Sequence, residues 1–188
     1  MKSFALVSLF IVSVTSYSAG PPDFVCDDPF LKPKHDGNDF QTSPSPFELT
    51  VVPGNNFYSI QITSTGEIPF KGYIIQAQYT EGNDAGFPVG DFMEEFIEDT
   101  DEEKHKRFNC ETEESIGNTI SHNKPGQHEQ VTAIWFPPQD LPLQTNIAFK
   151  ATVVKVKPEF WSIETVLTVV STKIISCLLI STNITPPV

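Results

Sequence analysis

Three observations predict an all-β fold, an antiparallel β-sandwich with an irregular N-terminal arm. Apolar residues alternate with polar ones over several short stretches, the pattern of strands with one face in a core and the other in water. Sixteen prolines and ten glycines in 188 residues punctuate those stretches, which suits many turns better than helices. No segment of about ten residues or more carries a helical stripe. The composition is that of a folded chain: 39% hydrophobic residues exclude wholesale disorder, and fifteen phenylalanines can fill a core.

The N-terminus reads as a secretory signal peptide over residues 1–18. Lys2 gives a positive start, Phe4 to Val14 is almost wholly apolar, and Ser16-Tyr17-Ser18 offers small residues for cleavage. An apolar run of about eleven residues is far short of the roughly 20 that span a bilayer. The mature chain is expected to begin near Ala19 and to work outside the cell, where cysteines pair. Residues 21–46, rich in Pro, Asp and Asn, form the arm.

Period two begins at Phe47, Leu49 and Val51, which alternate with Glu48 and Thr50 up to a turn at Pro53-Gly54-Asn55-Asn56. Tyr58, Ile60 and Ile62 make the second strand, which breaks at Thr65-Gly66. In the third, Tyr73, Ile75, Ala77 and Tyr79 share the core face, and Gln76 and Gln78 are expected on the wet one. A polar stretch from Thr80 to Gln130 is too long for a structureless loop, so short strands are expected near Phe92–Ile97 and around Phe108. Later strands fall at Gln130–Phe136 and Asn146–Val156, where Ile147, Phe149, Ala151 and Val153 face one way. A slip at Val153-Val154 reads as a bulge or a fully buried strand end.

The formal charge of −12 excludes bulk attraction to nucleic acid or sulfated polysaccharide, and no nucleic-acid partner is expected. Cys26, Cys110 and Cys177 are an odd number, hence one bridge with a leftover thiol, or a bridge to another chain. No Cys-x-x-Cys, His-Glu-x-x-His, Gly-x-Ser-x-Gly or phosphate loop occurs. The chain is therefore expected to be no enzyme, with no cofactor and no metal. The acidic run Glu94, Glu95, Glu98, Asp99, Asp101, Glu102 and Glu103 matches no calcium loop and precedes Lys104, Lys106 and Arg107, so it reads as a solvated charged loop. His35, His105, His122 and His128 are scattered along the chain, each expected to be satisfied locally or exposed. Trp135 lies in a core pattern. Trp161, where a strand is expected to end, is a candidate ligand contact beside the basic spot Lys104, Lys106 and Arg107.

An ordered set of landmarks carries a family resemblance. These are Gly20-Pro21-Pro22 before Cys26, Gln41 through Phe47, Phe70-Lys71-Gly72-Tyr73-Ile74-Ile75-Gln76-Ala77, and Val89-Gly90-Asp91-Phe92. Cys110, Ile120-Ser121-His122-Asn123, Val131-Thr132-Ala133-Ile134-Trp135, Ile147 through Thr152 and Phe160-Trp161 complete the order. The chain resembles the reeler domain, the N-terminal module of reelin and F-spondin, and is similar above all to small secreted insect defence proteins built of little else. The resemblance implies an immunoglobulin-like β-sandwich over residues 19–162 and a Cys26–Cys110 bridge. Such a bridge closes a loop of about 84 residues, worth roughly 4–5 kcal/mol by chain entropy. It also implies secretion into haemolymph and antibacterial innate immunity, through binding of microbial envelope components, nodule formation with haemocyte surfaces as partners, or direct antimicrobial action.

Residues 163–188 depart from the family pattern and are expected to form an atypical C-terminal tail, either an extra strand or the product of an alternative exon or an imperfect gene model. Its apolar part, Thr165–Thr182, is too short for a membrane span and holds Lys173; its polar end Thr182–Pro187 does not suit a lipid-anchor signal. The sequon at Asn183 is weakened by Pro186. Beside microbial recognition stands a second reading, an extracellular matrix or adhesion module binding a protein partner.

Overall fold

The computed structural model describes residues 21, 25–26, 28–35, 37–93, 105–110, 117–124 and 126–170. Among these lie nine strands and no α-helix. They are β1 Phe47–Pro53, β2 Tyr58–Ser64, β3 Gly72–Tyr79, β4 Asp91–Phe92, β5 His105–Phe108, β6 Thr119–His122, β7 Gln130–Phe136, β8 Gln144–Val156 and β9 Glu159–Val170. Two antiparallel sheets, ordered β1-β2-β7-β4 and β5-β6-β3-β8-β9, face each other.

Register follows the alternation. Leu49 lies opposite Ile62, Ile62 opposite Val131 and Tyr58 opposite Trp135, so one row of apolar side chains points inward from the first sheet. From the second sheet Tyr73, Ile75, Ala77, Ile147, Phe149, Ala151 and Val153 meet them, all buried. Aromatic edges lock the layers. Trp135 meets Phe149 with ring centroids 5.1 Å apart, and Phe47 meets both Phe70 and Trp161 at 5.5 Å. Edge-to-face pairs of this kind add about 0.5–1.5 kcal/mol beyond area burial. The slip near Val153-Val154 is a register shift between Val154 and Val156, a β-bulge.

One expectation fails at β3. Gln76 and Gln78 are each only 2% exposed, because the arm crosses the outer face of the second sheet. Leu31 and Val25 pack on Ile74 in a small second core. The two amides are tied down instead of wet: Gln76 Nε2 donates to Thr119 Oγ1 at 2.7 Å, and Gln78 Nε2 to Gln76 Oε1 at 2.6 Å and the Pro29 carbonyl at 3.3 Å, while Gln78 Oε1 is buried without a partner. Thr152 Oγ1 donates to the Leu31 carbonyl at 3.1 Å. A Cys26–Cys110 disulfide ties the arm down, as the resemblance implies. The amide of Asn118 brackets Cys110, accepting from its N–H at 2.8 Å and donating to its carbonyl at 2.7 Å.

A second correction concerns the domain limit. Residue 162 falls inside β9, which pairs with β8 from Glu159 through Val170. Beyond Trp161 the strand turns Val169 fully inward, and Thr165 Oγ1 donates to the Leu49 carbonyl at 2.7 Å, so β9 and β1 close one side of the sandwich. The folded unit thus takes in the first part of the expected tail. The signal segment, the acidic run, Cys177 and the rest of the tail lie outside the described residues.

Truncation after Ser162 is therefore expected to lower the melting midpoint by more than about 10 °C, several kcal/mol at this size. Paired thermal melts of full-length and truncated mature chains measure it; coincident midpoints would show that 163–170 adds nothing to the sheet.

Candidate functional site

The two ends of the sandwich differ in chemistry. One end is built where β1, β3, β7 and β9 begin and β2 and β8 finish. Lys32, Lys34, Lys71, Lys124 and Lys157 belong to the arm and connections of that end and Lys155 to the close of β8, together with the acids Asp28, Asp39, Glu67, Glu129 and Glu159. At the opposite end, turn 54–57 and loops 80–90 and 137–143 hold Glu81, Asp84 and Asp140 and no Lys or Arg.

The arm folds over this lysine-bearing end into a cavity of about 340 Å³ lined by Asp28, Lys32, Pro33, Lys34, His35, Gly37 and Asn38. Local hydrogen bonds shape it. The Asp28 carboxylate accepts from the Phe30 N–H at 2.8 Å, the Asp28 carbonyl from Leu31 at 2.8 Å, and the His35 carbonyl from Asn38 N and Nδ2 at 2.9 and 2.7 Å. Gly37 has φ +77°, a left-handed turn position that disfavours a side chain. His35 is docked on the β8–β9 hairpin: its Nδ1–H donates to the Lys157 carbonyl at 2.9 Å and its ring meets Phe160 edge-on at 5.4 Å. Lys32 is paired with Asp39, and Lys155 with Glu159 at 2.8 Å. Two lysines and an imidazole are the donors this hollow offers an anionic group, beside the Asp28 carboxylate on the same wall and with Lys32 shared with Asp39.

The candidates read from the sequence do not meet in it. Lys104 lies outside the described residues. Lys106 and Arg107 are half-buried on β5, and Arg107 Nη1 donates to the Phe92 carbonyl at 3.2 Å while its stem covers Gly117. Trp161 is corrected outright: at 7% exposure, edge-on to Phe47, it is core and no ligand surface. The continuing strand β9 buries it, where a strand end was expected. Lys32-Pro33-Lys34-His35, a basic tetrad in an acidic chain, was the signal that could have marked the cavity.

Three histidines scattered in sequence converge on Tyr73. His105 Nε2–H donates to the Thr132 carbonyl at 3.1 Å, joining β5 of one sheet to β7 of the other. That bond fixes the neutral tautomer, whose Nδ1 accepts the Tyr73 hydroxyl proton. Where β6 stops pairing with β3, the Tyr73 N–H donates to His122 Nδ1 at 3.2 Å. A Cβ on Gly72 would lie 2.9 Å from that ring, so glycine is required there. His128 lies against Phe70, ring centroids 5.5 Å apart and tilted by 41°, and meets Tyr73 edge-on. Burial first, and the charge of His128 last, hold His105 down at about 4 despite the Thr132 bond. Among the described residues no group of His, Cys, Asp and Glu could hold a metal ion.

A profile of the Reeler domain matches residues 25–174. The chain belongs to the Reeler domain family. Its reeler fold is seen again in the human F-spondin reeler domain, 17% identical, with a TM-score of 0.51 over 70% of this chain and 94% of that one. The Reelin-N domain of F-spondin gives the same TM-score and identity over 71% and 93%. A Drosophila melanogaster protein named putative ferric-chelate reductase 1 homolog is 29% identical over 153 residues. That match covers 78% of this reeler chain and 22% of the relative.

The His105 contact makes the reeler sandwich acid-sensitive. As pH falls below 6.5 the unfolded chain binds a proton at His105, whereas the folded one refuses it until about 4. Protons therefore favour unfolding across that window, and stability is lost as pH drops through it, by up to about 1.4 kcal/mol per unit. Urea unfolding of wild type and His105→Gln between those pH values is expected to give a steeper acid loss for wild type; parallel profiles would exclude the histidine as its source.

Proposed function

We propose that this reeler chain is a secreted recognition module of antibacterial innate immunity that binds anionic groups of microbial envelopes at the cavity of its arm. The observation that carries the reading is that cavity, with Lys32, Lys34 and His35 on its wall in a chain of formal charge −12. Bulk electrostatics oppose an anionic envelope, so attraction has to be local. A hollow that concentrates cations on a covalently tied arm supplies it: each Lys near an anionic surface contributes about 1 kcal/mol. The chain acts by binding and not by catalysis on this reading. The reductase named in the Drosophila relative is a protein of which the match covers 22%, and its activity is not carried over.

Washed Gram-negative cells, Gram-positive cells and insoluble glucan, incubated with purified mature protein and sedimented, test the proposal. Wild type is expected in the pellet with at least one bacterial class, and Lys32→Gln with Lys34→Gln to weaken binding about tenfold or more. Raised salt is expected to release it and chelator to leave it bound, since the contact is a basic one. Folded wild type remaining in every supernatant would refute recognition and favour the adhesion reading; a pellet insensitive to the lysine changes would move the contact elsewhere.

A further inference from the structure

Large apolar side chains exposed singly are ordinary on a protein surface. Here they gather. Val52, Phe87, Phe136, Leu143 and Val170, each between 37% and 53% exposed, all belong to the end of the sandwich opposite the arm cavity. Val52 is at the close of β1, Phe136 at the close of β7, Leu143 just before β8, and Val170 pairs with Gln144 at the start of β8. The turn after β1 brings the Phe57 ring within 6.4 Å of Phe136.

The loop carrying Phe87 is preorganised. Tyr79 N–H donates to the Phe87 carbonyl at 3.1 Å, Gly86 N–H to Tyr79 at 2.8 Å, and Phe87 N–H to Asp84 at 2.9 Å. Gly82 and Gly86, at φ +82° and +89°, permit the tight course that leaves the Phe87 side chain outside. Farther along, Asn146 ties the loop to β8, accepting from the Thr80 hydroxyl at 2.9 Å and donating to Glu81 at 3.0 Å. Ordering costs on binding are thereby reduced.

Charge identifies the occupant. Asp84 and Asp140, from different loops, approach the same side chain: burial, then Asp140, then Asp84 raise the Tyr79 phenol above its ordinary range. With Glu81 they belong to the loops that carry Phe87 and Leu143, and neither turn 54–57 nor loops 80–90 and 137–143 supply a cation. A second copy docked end to end would set like charges together, and an anionic bilayer would meet the same repulsion. We propose that this end docks a cationic amphipathic polypeptide segment, its apolar side chains on Phe87, Phe136 and Leu143 and its Lys or Arg on Glu81, Asp84 and Asp140.

The test uses the full mature chain and a fluorescein-labelled peptide of about fourteen residues made of Leu and Lys on opposite faces. Two comparators replace Lys by Glu, or Leu by Ser. At physiological ionic strength, where exposed charges are screened beyond about 8 Å, the Leu/Lys peptide is expected to bind and both comparators to bind at least about tenfold more weakly. Phe87→Ser with Leu143→Ser is expected to weaken binding about tenfold, as is Asp84→Asn with Asp140→Asn. Lys32→Gln with Lys34→Gln is expected to leave it unchanged, which separates this surface from the arm cavity. Phe136→Ser with Val170→Ser, on strand ends, is a second apolar pair should the loop variant melt early, with the same loss expected.

A Ser/Lys peptide binding as tightly as Leu/Lys would overturn the proposal, as mere charge attraction. So would unchanged affinity in a folded variant from each apolar pair. Phosphatidylglycerol vesicles captured by wild type but not by the Phe87 variant would assign the end to lipid instead, and a dimer abolished by that variant would assign it to a second copy.

Discussion

The fold rests on what covers the outer face of β3. That strand lies third of five in its sheet, so it is flanked on both edges, and its inner face is core. Its outer face carries Ile74, Gln76 and Gln78, an apolar group and two amides that only a close-fitting lid can bury at acceptable cost. The arm is that lid, and the Cys26–Cys110 tie keeps it in place. Besides the tie, the arm holds to the sheet through the small cluster around Leu31, hydrogen bonds to Gln78 and Thr152, and the docking of His35, Phe40 and Gln41 on the β8–β9 hairpin. The basic hollow is folded from the same arm, so the site inherits its rigidity from a covalent bond and a buried glutamine pair.

What the sequence disclosed follows from what each interaction needs. β1, β2 and β7 alternate because one face is apolar and the other is water, a contrast written into neighbouring residues; β8 keeps its inward row although Ala148 and Thr152 on the outer face are buried as well. At β3 the contrast misleads, since Gln76 and Gln78 look wet and are covered by a segment about fifty residues earlier. The far half of β9 offers no contrast: Thr165 through Val170 is Thr-Val-Leu-Thr-Val-Val, strand formers without a charged residue to mark the wet face. β6 is four residues long, too short for period two to register.

The site was less legible than the fold. Lys32, Lys34 and His35 sit in a segment without periodicity, and their convergence depends on turns at Asp28 and Gly37 that local sequence only hints at. His105, His122 and His128 meet because three strands and a bridge at Phe70–His128 bring them to Tyr73. Trp161 misled for the reason that β9 did: a strand that continues buries a residue that a strand ending there would leave exposed.

The seam between β1 and β9 has a bearing on solubility. Both are edge strands, and an edge strand's unpaired backbone groups are a template on which a foreign strand can assemble. The Thr165 hydroxyl occupies the Leu49 carbonyl, and the two edges lie against each other across the gap between sheets. Each thus shields the other from lateral growth without the hydrogen-bonded closure of a barrel. A sandwich sealed along this side offers a foreign strand no free edge there, and its two ends stay clear of the seam.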